Sequence, residues 1–187
     1  MIKRGLQNIF SVPIYTTFLD IKLADEIERL VISRLNNLEQ VLSQKTDFFL
    51  KEKIISPEEL SSFFHYVDPI ISKYSNESNI NRSNTINYWI QDYSKNESHS
   101  SHTHGGNRIS GVYYIRANSS AGNLKFTNPN PLFNTTDLKE PNVKNEINVE
   151  IPPQKGLLVL FPGWLLHETL ASLKEDCIRT CLAFNVQ

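Results

Sequence analysis

The chain has 187 residues, with 19 Lys+Arg against 20 Asp+Glu and a formal net charge of -1 at pH 7. That length fits one domain and can bury a core without disulfide or metal staples. The near-neutral balance excludes a dedicated nucleic-acid or membrane-surface binder, which would be clearly basic. No apolar run reaches the roughly 18 residues of a membrane span.

An opening strand is predicted over residues 9–19, IFSVPIYTTFL, where Pro13 interrupts β-branched and aromatic residues and argues for a sheet edge. Asp20 caps a first helix that carries Leu23, Ile27, Leu30, Val31, Leu38 and Leu42 on one face. Ser56-Pro57-Glu58-Glu59 reads as a capping box that starts a second helix. Leu60, Phe63, Phe64, Val67, Ile70, Ile71 and Tyr74 form its apolar stripe. A polar connector from Ser75 to Thr85 follows, and the periodicity then changes to two.

Strands are predicted over 86–93, 108–116, 123–127, 146–151, 156–161, 167–170 and 177–186, separated by turn-forming runs. The Ser/Asn/His-rich run after Tyr93 is one of those turns. Pro129 to Asn145 has no strong pattern, and breaks of that length are usually lids or disordered. Two helices followed by seven or eight short strands suggest an α+β chain, mainly β, with a jelly-roll-like core and a helical face. We read 1–187 as one domain, with 1–85 as an N-terminal strand and helical support and 86–187 as the jelly-roll core. Cys177 and Cys181 are too few for a disulfide framework and read as reduced core thiols. MIKRGLQNIF lacks an apolar signal core, so the expected location is the cytoplasm.

Three of the five histidines, His99, His102 and His104, fall within the run SHSSHTHGG. Crowded imidazoles repel once protonated, and a metal relieves that cost by holding them neutral. In an extended segment His102 and His104 share one face. A polar loop without a ligand is the equal alternative for the cluster alone. His167 follows the run GLLVLFPGW, and Arg179 lies in the apolar strand CIRTCLAFNV. A buried arginine is costly unless its charge meets an anion. Residues 179, 181, 183 and 185 share a face, so Arg179 and Asn185 look into the same space. A salt bridge at a strand end is the plainer alternative. Gly105-Gly106 frees the loop that carries the histidines.

A His-x-His pair, a distant His and a downstream Arg resemble the layout of iron(II)/2-oxoglutarate dioxygenases. The strings THGGNRISGVYYI and LLVLFPGWLLHETL…IRTCLAFNV resemble the 2OG-Fe(II) oxygenase branch of that superfamily found in marine bacteria and phages, which is prolyl-hydroxylase-like. The resemblance covers about residues 86–187 and implies a double-stranded β-helix flanked by two helices. It implies Fe(II) held by His102, His104 and His167, with 2-oxoglutarate bound through Arg179 and with O2 consumed. His104 stands where the superfamily usually has Asp or Glu. It is the middle ligand, or it supports one, or Glu97 or Asp92 supplies a carboxylate instead. Tyr114 matches a tyrosine that binds the same cosubstrate carboxylate in related prolyl hydroxylases, with a core tyrosine as the equal alternative. Ser110 lies on the face of Tyr114, and Asn185 lies towards the metal, where it contacts substrate or a metal-bound water. His99 supports the site or lies at the surface. His65 is a packed or surface residue, and Trp164 packs the turn that Gly163 allows to close.

The function implied is hydroxylation of a C–H bond, in a substrate such as a peptide proline, with release of succinate and CO2. Its partners are then 2-oxoglutarate and a peptide or small-molecule substrate, without nucleic acid or membrane, and the helical face is compatible with a homodimer. The host cytoplasm is the expected location if a phage encodes the chain. Two other readings stand beside this one: a 2-oxoglutarate-independent three-His enzyme of cupin or zinc-hydrolase type, and a non-catalytic jelly-roll binding module.

Overall fold

The computed structural model describes residues 11–41, 55–130 and 147–187. Among them the elements run β1 (Tyr15–Phe18), α1 (Ile21–Val41), α2 (Ser61–Ser78), β2 (Ile86–Tyr93), β3 (His99–His102) and β4 (Ile109–Ala117). They continue with β5 (Leu124–Thr127), β6 (Asn148–Ile151), β7 (Leu157–Pro162), β8 (His167–Thr169) and β9 (Arg179–Val186). All described pairings are antiparallel. One sheet has the order β1-β7-β4-β9-β2 and the other β3-β8-β5-β6. The two sheets with two helices on one face form the expected double-stranded β-helix.

The helices, the five-stranded sheet and the four-stranded sheet make three layers. In the first interface Ile27 and Val31 of α1 and Phe63, Val67 and Ile71 of α2 pack with Tyr113, Leu158, Leu160, Leu182 and Phe184. In the second, Val112, Tyr114, Val159, Phe161 and Cys181 on the opposite face meet Leu124 and Phe126. The middle layer is therefore covered on both sides, which is why β7 reads as the unbroken apolar run LLVLF instead of alternating. Each large apolar side chain buried there contributes about 1.5–3 kcal/mol.

Asp20 caps α1 as expected, its Oδ1 accepting from Lys22 N at 2.8 Å. The capping box also forms. Ser56 N donates to Glu59 Oε2 at 2.9 Å, and Glu59 N donates to Ser56 Oγ at 3.3 Å. The α-helix nevertheless starts only at Ser61, after a turn over residues 57–60 in which Leu60 N donates to Ser56 O at 3.3 Å and Ser61 N to Glu58 O at 3.2 Å. α2 then runs past Tyr74 into the polar connector and stops where Asn79 takes a left-handed φ of 55°. β1 is an edge strand, as Pro13 suggested. Its predicted first residues, Leu42 of the helix stripe and almost all of the 129–145 break lie outside the described residues.

Two sequence expectations need correction. The run after Tyr93 is not all turn, because His99–His102 pairs with β8. The last strand starts at Arg179, and half-buried Cys177 precedes it; both cysteines are free thiols. No described helix is long and apolar enough to cross a membrane.

Candidate active site

His102 and His167 face each other as cross-strand partners in β3 and β8. The pairing brings together residues sixty-five apart in sequence and sets their rings 4.3 Å apart between centroids. His104 arrives from the loop after β3. That loop turns through Gly106 at φ 90° and is tied down by His104 N donating to Gly163 O at 2.8 Å. One ligating atom from each of the three histidines lies within 4.8 Å of the others.

Gly163 is required for a reason the turn alone does not supply. A Cβ there would sit 2.3 Å from Asn107 O and 3.3 Å from His104 O, so the backbone of the histidine loop occupies that space. Gly163→Ala should therefore push the 104–107 loop away, at about 1–3 kcal/mol, and weaken metal binding. Melting temperature and Co(II) affinity, measured together, check this. Unchanged Co(II) affinity would show that the loop moves without carrying His104.

His167 Nδ1 lies 2.8 Å from Leu165 O, and His102 Nδ1 lies 2.7 Å from Ser100 O. A carbonyl only accepts, so each neutral ring carries its proton on Nδ1 and keeps a lone pair on Nε2. Burial pushes His167 and His104 down to about 4, with repulsion from His102 acting in the same direction. His167 also feels His104 and His99, while its bond to Leu165 O opposes the shift. Both are therefore neutral at pH 7, the form a metal needs. The His167 ring packs 4.7 Å from Phe161.

His99 stacks on His102 at 4.2 Å, nearly parallel, and Gln91 Nε2 lies 3.0 Å from its Nδ1. Burial lowers its pKa as well. The carboxylates considered as ligands are engaged elsewhere. Glu97 accepts from Ser94 N at 2.6 Å, and Asp92 accepts from Thr180 Oγ1 at 2.6 Å. His65 is exposed on α2 and is not among the residues that line the cavity. Trp164 does not pack its turn; its side chain is 53% exposed.

At the other end of the cavity Arg179 is only 2% exposed. Its guanidinium lies over the rings of Tyr93 at 4.9 Å and Tyr114 at 5.4 Å. Arg179 Nη1 donates to Gly122 O at 3.3 Å, while Nε has no partner, and neither has the Tyr114 hydroxyl. Burial pushes the Tyr114 phenol up to about 12, with Arg179 acting in the opposite direction. Among the described residues no carboxylate is ion-paired with Arg179. A buried guanidinium Nε–H and a buried phenol hydroxyl, each without a hydrogen-bond partner, are what a carboxylate-bearing ligand would satisfy. About 350 Å³ of empty space, its open mouth included, joins this end to the histidines.

Ser110 and Asn185 do meet, as β4–β9 register partners. Ser110 Oγ donates to Asn185 Oδ1 at 2.7 Å, and Asn185 Nδ2 donates to His104 Nδ1 at 3.1 Å. Trp89, Gln91 and Thr169 also line the cavity, and the sequence reading did not name them. The signal was there in the two-residue alternation of β2, which turns 89, 91 and 93 to one face once that strand pairs with β9.

The profile of the family described as "Putative 2OG-Fe(II) oxygenase" matches residues 87–185. No curated protein matches. Among solved structures, a Pseudomonas putida prolyl-4-hydroxylase is similar at TM-score 0.63 and 13% identity, over 95% of this chain and 88% of that one. A Trichoplax adhaerens prolyl hydroxylase, in complex with a hypoxia inducible factor oxygen degradation domain peptide fragment, is similar at 0.61 and 17%, over 92% and 82%. HygX from Streptomyces hygroscopicus, with nickel and 2-oxoglutarate bound, is similar at 0.60 and 10%, over 94% and 82%. At these identities the structures establish a shared fold. The profile match runs from β2 to β9 and so includes the strands that carry His102, His167 and Arg179. On that match the chain belongs to the 2OG-Fe(II) oxygenase family, oxidoreductases that use Fe(II), 2-oxoglutarate and O2.

Proposed function

We propose that this protein is a dioxygenase that hydroxylates a C–H bond of a peptide side chain, with proline the first substrate to try. The observation that carries the oxygenase reading is the pairing, in one cavity, of a three-histidine cluster with a buried arginine that lacks a carboxylate partner among the described residues. The preference for a peptide is supported by the prolyl hydroxylases among the structural neighbours and by the residues here that resemble theirs, Tyr114 included.

The donor set suits the cofactors. Two preset Nε2 lone pairs and a third imidazole make a face for a divalent transition metal, and three imidazoles leave its full charge for anionic ligands. Arg179 Nε and the Tyr114 hydroxyl suit a carboxylate at the far end. His102, His104 and His167 would hold Fe(II), and Arg179 with Tyr114 would hold the distal carboxylate of 2-oxoglutarate. Together with O2 these groups supply oxidation of a C–H bond, with succinate and CO2 as the accompanying products. The chain's own contribution is placement. Leu165 O and Ser100 O hold the imidazoles in the ligating tautomer, Phe161 walls off His167, and the aromatic faces of Tyr93 and Tyr114 keep water from the guanidinium.

Anaerobic addition of Fe(II) and 2-oxoglutarate, followed by visible spectroscopy, tests the cofactor pair. The expected result is a charge-transfer band that needs both. Iron binding without a band would point to the cosubstrate-independent three-His enzyme, and no metal binding to the non-catalytic module. Proline-containing peptides that leave 2-oxoglutarate consumption unchanged would sink the peptide assignment alone.

A further inference from the structure

The three histidines are not held alike. His102 and His167 each set Nδ1 against a backbone carbonyl, which fixes the proton on Nδ1 and the lone pair on Nε2. His104 sets Nδ1 against the Asn185 side-chain amide. In the arrangement seen, Ser110 Oγ donates to Asn185 Oδ1, and Asn185 Nδ2 donates to His104 Nδ1. A neutral His104 that accepts at Nδ1 carries its proton on Nε2, and that nitrogen then has no lone pair to give a metal.

An amide has nearly the same shape after a half-turn about its last bond. Turned, Asn185 offers Oδ1 to His104 and Nδ2 to Ser110. The serine hydroxyl can accept as well as donate, so all three partners remain hydrogen-bonded. His104 would then carry its proton on Nδ1 and free its Nε2. The network is nearly sealed, with Ser110 2% and Asn185 6% exposed, so water cannot easily replace either partner.

We propose that Asn185, backed by Ser110, is a positioning residue that decides whether His104 ligates, its amide turning when metal binds. The proposal rests on the three-histidine site put forward above. It makes His102 and His167 the preset ligands and His104 the conditional one. Proton number is unchanged; a proton moves from one ring nitrogen to the other as the amide turns.

Long-range 1H–15N spectra of the histidine side chains in the metal-free and zinc-loaded wild-type protein test this directly. His102 and His167 should be protonated on Nδ1 in both states. His104 should be protonated on Nε2 without metal and on Nδ1 with zinc. An unchanged His104 tautomer overturns the proposal. Asn185→Asp gives a second readout, because a carboxylate only accepts and so presets His104 as a ligand. Zinc affinity should rise about tenfold, within the range for partners that orient metal-bound histidines. Equal or weaker zinc binding in a folded Asn185→Asp protein counts against the proposal. Zinc affinity that falls in His167→Ala but not in His104→Ala removes His104 from the ligand set, and identifies the three-histidine reading as what failed.

Discussion

Arg179→Met should raise the melting temperature of the ligand-free protein while nearly abolishing its affinity for 2-oxoglutarate. Burying a cation costs several kcal/mol unless geometry and partners repay it. Here the repayment is thin: one bond of 3.3 Å to Gly122 O, two aromatic faces, and an Nε with nothing to donate to. An unbranched apolar side chain of similar length fills the same space without the charge. Such replacements are neutral or stabilising by about 1–4 kcal/mol, which at this chain length is roughly 2–4 °C per kcal/mol. The loss on the binding side is larger. Removing one partner of a buried, hydrogen-bonded charge pair costs about 2–5 kcal/mol, a weakening of at least roughly thirtyfold. Calorimetry with and without 2-oxoglutarate on the Co(II)-loaded protein reads both effects. The cosubstrate should stabilise the wild type and leave the variant unmoved. A variant that melts below the wild type without ligand would mean that Arg179 holds the fold together, and its proposed role would lose its main support.

The second large effect is expected at His167. It is 4% exposed, pairs with His102 across the sheet and donates to Leu165 O. Losing a direct ligand should cost more than losing a partner that merely orients one, which is worth about 10–100-fold in metal affinity. His167→Ala should therefore weaken Co(II) binding more than about a hundredfold. His99→Ala removes the ring stacked on His102 but no member of the converging cluster, and it should stay within about tenfold. The Trp89 ring lies 5.7 Å from His104, so quenching of tryptophan fluorescence is a convenient titration signal. Exposed His65 is the neutral control. If the His99 and His167 variants lost affinity equally, the ligand set would have to be redrawn.

These residues were legible to different degrees, for physical reasons. β2 was read from 86 to 93 as the structure has it, because INYWIQDY alternates without a turn former. β3 was missed because HSSH has no apolar alternation; among the described strands it pairs with β8 alone, which a local pattern cannot display. The histidines and Arg179 were legible as residue types whose crowding or burial needs explaining. Their convergence depended on the β3–β8 register. Gln91 could be placed from the alternation of β2 only once its pairing with β9 was known, and Thr169 lies in the three-residue β8, too short to display an alternation. Trp164 was misjudged through its size, since a large aromatic normally packs. Here the tight turn beside the histidine loop carries its ring outward.

The place of β9 has a consequence for how the protein is made. It is the last of the described strands to be synthesised, yet it lies between β4 and β2, with Ile86 paired to Val186 and Ala117 to Arg179. Until residues 179–186 clear the ribosome, β2 and β4 each present an edge with no partner, and unpaired edges are templates for aggregation. The sheet that carries Arg179 and Asn185 therefore closes only once residues 179–186 are free to pair, across pairings about a hundred residues apart in β2. Such non-local topology places folding among the slow cases, in milliseconds to seconds.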